Sequence, residues 1–182
     1  MKQNSHRTVY WSKMSQEDWS IYLAATEQGL CYVGSQNRDF EELSKWVAKH
    51  YKAYELMEND EILRPYIVEL SEYLHGQRQQ FSLPTALEGT SFQKEVWDAL
   101  CAIPYGQTCS YSDIAIHIKR PAAVRAVGTA IGANPLLITV PCHRVIGKNG
   151  TLTGYRGGLE MKTKLLELER SGSNLLWTGF NY

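Results

Sequence analysis

The sequence lacks any uninterrupted apolar run of the ~18 residues that a membrane-spanning helix needs. Residues 1–7 also lack the apolar core of a secretory signal peptide. We therefore expect a cytoplasmic protein with no membrane partner; in a bacterium this compartment also contains the nucleoid. The length of 182 residues allows one large domain or two small ones.

Paired cysteines are absent as well. None of the four cysteines forms a C-x-x-C pair, and the N-terminal half has no evident zinc ligand set, so no metal site is predicted. In a reducing cytoplasm the four are expected to be free thiols, and three of them read as small hydrophobic residues: Cys31, Cys101 and Cys109.

The whole chain has no excess of either charge, but its two halves differ in net charge. Residues 1–88 carry nine Lys and Arg against 13 Asp and Glu, a net charge of −4, whereas residues 89–182 carry ten against six, +4. This asymmetry indicates two units with different partners, the basic one suited to a polyanion.

The first half has the pattern of a small α/β domain. Short β-branched and aromatic segments at 7–11, 19–25 and 30–34 predict an antiparallel meander, and 81–84 is a candidate fourth strand. Apolar residues at helical spacing then predict two helices, one capped by Asp39 and one beginning near residue 60 and ending at Gly76. No motif for chemistry occurs here, which favours a scaffold.

The second half has a helical pattern after a linker at 84–90. Helices are predicted from Phe92 to about Cys101, from Ser110 with Asp113 in a capping box, from 122 to about 133 after Pro121, and from about Leu159 to Arg170. The two short helices on either side of residues 119–121 match a helix-turn-helix, although the turn lacks its usual glycine.

The helix at 122–133 has small residues on its outer side and one long cation, Arg125. The small residues are Ala122, Ala126, Thr129, Ala130 and Ala133. Close packing against another helix would explain them. Docking into a nucleic-acid groove, with Arg125 projecting from the helix, is the functional alternative.

Residues 138–146 deliver a cysteine into an apolar setting. Pro141 fixes the backbone before Cys142, and His143 and an arginine follow at once. A nearby base or positive charge lowers the pKa of a thiol and makes it nucleophilic, so Cys142 is a candidate nucleophile. A buried core thiol is the alternative.

Three further positions flank this segment. Asn134 precedes a proline and is suited to hydrogen-bonding the neighbouring turn. Glu169 lies at the edge of an apolar helix face, so it is either solvated or partnered by a group such as an imidazole. The glycines at 154–158 permit close approach to a bound group, or form a plain loop.

Together these motifs resemble the O6-alkylguanine-DNA alkyltransferases, over most of residues 89–182. The matching segments are Phe92–Trp97, Ile103–Thr108, Ser110–Tyr111, Arg125–Gly128, Asn134–Pro135, Pro141–Val145 and Gly154–Gly158. The resemblance implies an α+β fold: a ribonuclease H-like α/β domain at 1–88, followed by a mostly helical winged helix-turn-helix domain at 89–182.

The resemblance also implies roles for individual residues. Cys142 matches the alkyl acceptor, His143 the base that deprotonates it through a water, and Glu169 the acid that orients this histidine. Asn134 matches the hinge, Tyr111 a residue that crowds the target phosphate and protonates the departing guanine, and Arg125 the finger that replaces a flipped base. The remaining matches are DNA contacts at Ser110, Ala126 and Gly128 and pocket walls at Val145, Tyr155, Arg156 and Gly157.

The implied function is stoichiometric DNA repair by a monomer. The alkyl group of O6-alkylguanine, and of O4-alkylthymine, would pass irreversibly to Cys142 without a cofactor. Double-stranded DNA would be bound through its minor groove with the lesion flipped out. Arg156 is large for a pocket wall. The alternative is a winged-helix protein that senses lesions without repairing them, and the presence of Cys142 argues against it.

Overall fold

The computed structural model describes residues 7–173, whose first half is built on a four-stranded sheet. Strands β1 (Arg7–Gln16), β2 (Trp19–Thr26) and β3 (Gly29–Val33) form the predicted antiparallel meander. The sheet order is β3-β2-β1-β4, and β4 (Tyr54–Glu58) pairs parallel with β1. The sequence prediction missed β4, whose glutamates suit an edge strand.

The predicted strand at 81–84 is wrong. The backbone N–H groups of Ser82 and Leu83 donate to the carboxylate of Glu69 and not to a neighbouring strand. Pro84 has no N–H to offer, and its carbonyl accepts a single bond from Leu30. The segment is therefore held as an extended connection against the edge of β3.

Both predicted helices of the first half are present. Helix α1 spans Phe40–His50, and Asp39 occupies its N-cap position without a side-chain hydrogen bond. Helix α2 spans Asp60–Leu74 and is capped by Asn59, whose side chain accepts from the N–H of Ile62 at 3.0 Å.

The second half is mostly helical, as expected. Its helices are α3 (Ser91–Cys101), α4 (Tyr111–His117), α5 (Val124–Gly132) and α6 (Leu159–Gly172), with capping boxes on α3 and α4. Pro121–Ala123 forms a 3₁₀ turn before α5, so the helix predicted from 122 begins two residues later. Between α4 and α5 the turn contains Lys119 at φ 58°, which takes the left-handed conformation usual for glycine.

A short parallel pair, β5 (Cys109–Ser110) and β6 (Val145–Ile146), joins the start of α4 to the segment that follows Cys142. One apolar core runs through both halves of the chain. It includes Leu23 and Leu70 on the sheet side and Leu100 and Val127 on the helical side. No described helix is long and apolar enough to cross a membrane.

Candidate active site and nucleic-acid interface

Cys142 is the first residue of a 3₁₀ turn, Cys142–Arg144, that follows Pro141. The residue is 4% exposed and belongs to the shared core. A small apolar side chain would suffice for packing, so the polar groups around the sulfur decide whether this thiol has a chemical role.

Asn134 supplies the nearest of these polar groups. It follows α5 and is itself buried, and its amide nitrogen lies 3.1 Å from the sulfur of Cys142. The same nitrogen also lies 3.2 Å and 3.0 Å from the carbonyls of Leu136 and Val140, so its two N–H groups are shared among three acceptors, while the amide oxygen accepts the N–H of Leu136. Asn134 thus ties the end of α5 to the cysteine turn, as its place before a proline suggested.

His143 and Glu169 form a fully buried pair beside this turn. Nε2 of His143 lies 2.6 Å from Oε1 of Glu169. Arg144 adds a fork to the same carboxylate, with Nε 2.9 Å from Oε2 and Nη2 2.9 Å from Oε1. The backbone N–H of Gly106 donates to Oε2, and the hydroxyl of Tyr73 donates to Oε1.

These contacts define the charge state of the site. Hydrogen bonds from His143 and Arg144, with the positive charge of Arg144, outweigh burial and lower the pKa of Glu169 to about 2, so Glu169 is a carboxylate. Burial lowers the pKa of His143, although Glu169 opposes this shift. The imidazole is therefore neutral at pH 7.

A neutral imidazole beside a carboxylate has one possible tautomer. Because an ionised carboxylate only accepts, Nε2 of His143 carries the proton and donates to Glu169. Nδ1 is then left with a free lone pair. Nδ1 is buried and has no hydrogen-bond partner among residues 7–173, as expected for a base aimed at a reacting proton.

The thiol of Cys142 departs from the simple expectation of a lowered pKa. Burial raises its pKa, while the Asn134 amide and the charges of Arg156 and Lys162 pull in the other direction. The resting residue is therefore a thiol, and thiolate formation requires a base.

The glycine loop at 154–158 lies against this group. The ring of Tyr155 meets that of His143 edge-on at 6.5 Å, and its buried hydroxyl has no partner among the described residues. A Cβ on Gly157 would lie 2.4 Å from the sulfur of Met161 and 2.6 Å from the ring of Tyr155, so a larger residue there would displace these side chains. The carbonyl of Val145, a predicted pocket wall, accepts from the buried ammonium of Lys162 at 2.6 Å.

Arg156 is a predicted wall of the pocket, and its side chain makes its contacts outside the glycine loop. Its guanidinium turns back to the first half of the chain. It donates to the carbonyl of Val33 at 2.7 Å and to those of Asn134 and Pro135 at 3.2 Å. It also reaches the hydroxyl of Tyr32 at 3.2 Å. A guanidinium has five donors and can serve these carbonyls together, and that of Pro135 also accepts the N–H of Val33.

Residues on the outer face of α5 fit either of two explanations, helix packing or docking into a nucleic-acid groove. Arg125 and Ala126 are exposed, and within residues 7–173 the guanidinium of Arg125 forms no hydrogen bond or ion pair. Ala130, in contrast, is buried, and its carbonyl accepts from the indole of Trp97. Helix packing therefore explains Ala130, and the exposed residues remain available for a groove.

Two predicted DNA contacts lie at the start of α4. The hydroxyl of Ser110 accepts from the N–H of Asp113 and caps the helix. The ring of Tyr111 lies beside Gly128, where a Cβ would be 3.8 Å away. The hydroxyl of Tyr111 accepts from Thr153 at 3.2 Å, which connects α4 to the glycine loop.

Four contributors escaped the sequence prediction. Lys162 lies seven residues before Glu169, two turns away on the same helix face, and this spacing was a usable signal. Arg144 was noted only as a neighbour of Cys142. Gly106 and Tyr73 had no signal, because each acts across a sequence separation of more than 60 residues. Within residues 7–173, no three His, Cys, Asp or Glu side chains are grouped as metal ligands.

The chain matches two family models. Residues 9–87 match the ribonuclease-like domain of 6-O-methylguanine DNA methyltransferase, and residues 91–171 match its DNA binding domain. An inducible methylated-DNA–protein-cysteine methyltransferase of Bacillus subtilis is 60% identical over 92% of this chain and 93% of its own length. A methylated-DNA–protein-cysteine methyltransferase of Methanosarcina acetivorans is 44% identical over 90% of this chain and 99% of its own.

Solved structures give the same match. The crystal structure of Mycobacterium tuberculosis OGT in complex with DNA superposes with a TM-score of 0.77 at 36% identity, covering 90% of this chain and 94% of that one. The M. tuberculosis O6-methylguanine methyltransferase superposes with the same score at 38% identity, covering 91% and 94%. These matches agree with the mixed α/β first half and the helical second half.

Proposed function

The chain belongs to the 6-O-methylguanine DNA methyltransferase family, and we propose that Cys142 is the residue with which it repairs alkylated DNA. It is a DNA-binding methyltransferase that acts directly on the alkylated base. The observation that carries the assignment of Cys142 is the buried His143–Glu169 pair beside it, with Nδ1 of the histidine unpaired among the described residues.

The proposed reaction is an in-line displacement at the alkyl carbon. Nδ1 of His143 takes the proton of the Cys142 thiol through an intervening water, and the thiolate attacks the carbon bonded to O6. The C–S bond forms as the C–O bond breaks, and its electron pair leaves with guanine. A proton from Tyr111 neutralises the departing base. Solvent then carries the proton held by His143 back to Tyr111, so the net change moves the alkyl group from guanine to the sulfur and one proton from the sulfur to guanine.

Glu169 and Asn134 act on the reacting pair rather than on the lesion. Glu169 holds the proton on Nε2 of His143, which keeps Nδ1 free to act as the base. The amide of Asn134 donates toward the sulfur and stabilises the developing thiolate. The thioether product is stable, so the alkyl group stays on Cys142. Each chain therefore reacts once, and no cofactor is needed.

The lesion must leave the duplex to meet a thiol that is 4% exposed. We propose that the helix-turn-helix docks in the minor groove of double-stranded DNA, with the exposed small residues of α5 against the backbone. Arg125 would fill the space of the extruded base, and Tyr155 and Gly157 would border the pocket that receives it. O6-alkylguanine, and O4-alkylthymine beside it, are the proposed substrates of a monomer that works at the nucleoid.

We also propose that residues 1–88 and 89–182 are the two domains. The ranges of the two family models support this division, although residues 1–6 and 174–182 lie outside the described part of the chain.

A stoichiometry assay tests the proposed function. The protein is incubated with excess duplex DNA that carries radiolabelled O6-methylguanine, with and without a chelator. We expect one methyl group per chain and no effect of the chelator. Sustained turnover would contradict the single-use mechanism. Tight binding of the lesion without any transfer would favour the lesion-sensing alternative.

A further inference from the structure

Tyr73 places a hydroxyl from the first half of the chain inside the active-site cluster. It lies near the end of α2, a helix that otherwise packs on the sheet, and it is fully buried. Its ring packs against Phe81 at 5.1 Å and edge-on against Tyr105 at 5.8 Å. Phenylalanine would satisfy this packing equally well, so the hydroxyl calls for a separate explanation.

The hydroxyl shares one oxygen atom with the histidine. It donates to Oε1 of Glu169, the atom that also accepts from Nε2 of His143 at 2.6 Å and from Nη2 of Arg144 at 2.9 Å. The phenol oxygen lies 3.4 Å from Nε2. Nε of Arg144 also lies 3.1 Å from Oε1, so four donor atoms from three residues converge on one carboxylate oxygen, whereas two lone pairs are available on it.

We propose that Tyr73 is a positioning residue for alkyl transfer: its hydroxyl competes with His143 for Oε1 of Glu169 and so keeps the imidazole in the neutral form that accepts the proton of Cys142. This inference rests on the proposed function. It gives the N-terminal half a part in the chemistry as well as in the scaffold.

The physical reason is the cost of a strong pair between imidazole and carboxylate. A buried carboxylate close to an imidazole stabilises the imidazolium, and an imidazolium has no lone pair with which to take a proton. Each extra donor to Oε1 draws charge away from His143. Without the Tyr73 hydroxyl, more of the carboxylate's charge would act on the imidazole.

The other groups that face His143 favour either its neutral or its charged form, according to their own charge. The positive charges of Arg144 and Lys162 favour the neutral imidazole, as burial does, and Glu169 opposes them. Cys142 and Tyr155 are uncharged in the resting site, since burial raises the pKa of both. Tyr73 is an uncharged side chain that donates to Oε1, the oxygen that accepts from His143, whereas the N–H of Gly106 donates to Oε2. Its hydroxyl therefore weakens the interaction with Glu169 that favours the imidazolium.

The test is the pH dependence of single-turnover transfer in Tyr73→Phe. The pKa of His143 should rise in the variant, so the acid limb of the rate profile should move to higher pH. On that limb transfer should be about tenfold slower than in the wild type, the size expected for one hydrogen bond to a charged group. At alkaline pH the two rates should converge, because His143 is neutral in both proteins.

A purely structural role predicts a different profile. Lost packing or stability would slow transfer by the same factor at every pH, and that result would overturn the inference, as would an unchanged profile. Tyr51→Phe is the matched control, since Tyr51 is a buried tyrosine that packs in a separate apolar cluster with Val9 and Val47, which does not include His143. It should leave the acid limb where it is.

A second variant keeps the inference testable if Tyr73→Phe does not fold. Replacing Tyr73 by 3-fluorotyrosine preserves its shape and strengthens its hydroxyl as a donor, so the acid limb should move to lower pH. No movement, or movement to higher pH, would overturn the inference. Failure of the wild type to transfer any methyl group would instead refute the proposed function.

Discussion

The side-chain amide of Asn134 lies 3.1 Å from the sulfur of Cys142 and connects α5, the helix proposed to meet DNA, to the proposed acceptor. The two N–H groups of the amide are shared among the sulfur and the carbonyls of Leu136 and Val140. Because Asn134 is 1% exposed, water cannot replace these bonds if the side chain is lost. Asn134 therefore joins the end of the proposed docking helix directly to the reacting sulfur.

Replacement of Asn134 by alanine should lower both stability and the transfer rate. Leaving the buried N–H of Leu136 without an acceptor, and the carbonyls of Leu136 and Val140 with one donor fewer, should reduce the free energy of unfolding by about 3 kcal/mol, measured in urea. Transfer should slow further because the thiolate loses a donor. Asn149→Ala, in an exposed turn, is the control and should change neither quantity. Wild-type stability and rate in Asn134→Ala would contradict this account of the hinge.

Acid should destabilise the protein through Glu169. Its pKa is about 2 in the folded protein against an ordinary value of 4.5 for glutamate, so its contribution to the free energy of unfolding is full above pH 4.5 and is lost as the pH falls toward 2. Glu169→Gln should be less stable by roughly 3 kcal/mol at pH 7, and the gap should narrow over that window. Urea unfolding at several pH values measures it, with the exposed Glu160→Gln as control. A gap independent of pH would contradict the ionised, paired carboxylate.

Arg156 should control the order of the glycine loop. Arg156→Ala removes four hydrogen bonds that tie this loop to Tyr32, Val33 and the turn after α5. We expect faster amide exchange at 154–158 and about tenfold slower transfer, with duplex affinity unchanged. Arg156→Lys should show a smaller defect of the same kind, because an ammonium can donate to some of the four acceptors but cannot bridge them all. Unchanged amide exchange in Arg156→Ala would contradict this ordering role and leave the pocket wall as the predicted role of Arg156.

Arg125 should matter for duplex lesions and not for the free base. If it fills the space of an extruded nucleotide, Arg125→Ala raises the cost of extrusion, which a free base does not pay. Transfer from duplex DNA should therefore slow strongly, while the slow reaction with free O6-methylguanine should scarcely change. A mismatch opposite the lesion should soften the defect. The exposed Arg64→Ala is the control, and equal rate ratios on duplex and free base would rule out a flipping role.

Local signals explain how far the sequence predicted this site. The capping box at Ser110, the proline after Asn134 and the run through Cys142 each act over a few residues, and the structure has the corresponding helix, turn and buried thiol. Spacing alone left Glu169 open between solvent and an imidazole partner, and the structure buries it beside His143.

The elements that the sequence did not predict depend on long-range contacts. Strand β4 gains its pairing from β1, about 47 residues earlier in the chain. The contributions of Tyr73 and the turning back of Arg156 both require the two halves to be in contact. A local sequence pattern does not show such contacts, because whether a polar side chain is buried depends on a partner from a distant segment.

Mapping the site of methylation tests the central claim most directly. Wild-type protein, Cys142→Ala and Cys109→Ala are each reacted with duplex DNA carrying labelled O6-methylguanine and then digested, and DNA binding is measured in parallel. The label should appear on the peptide that contains Cys142 in the wild type and in Cys109→Ala. Cys142→Ala should bind DNA with little change and acquire no label. Labelling of Cys142→Ala, at Cys101 or Cys109, would contradict the assignment of Cys142 as the acceptor.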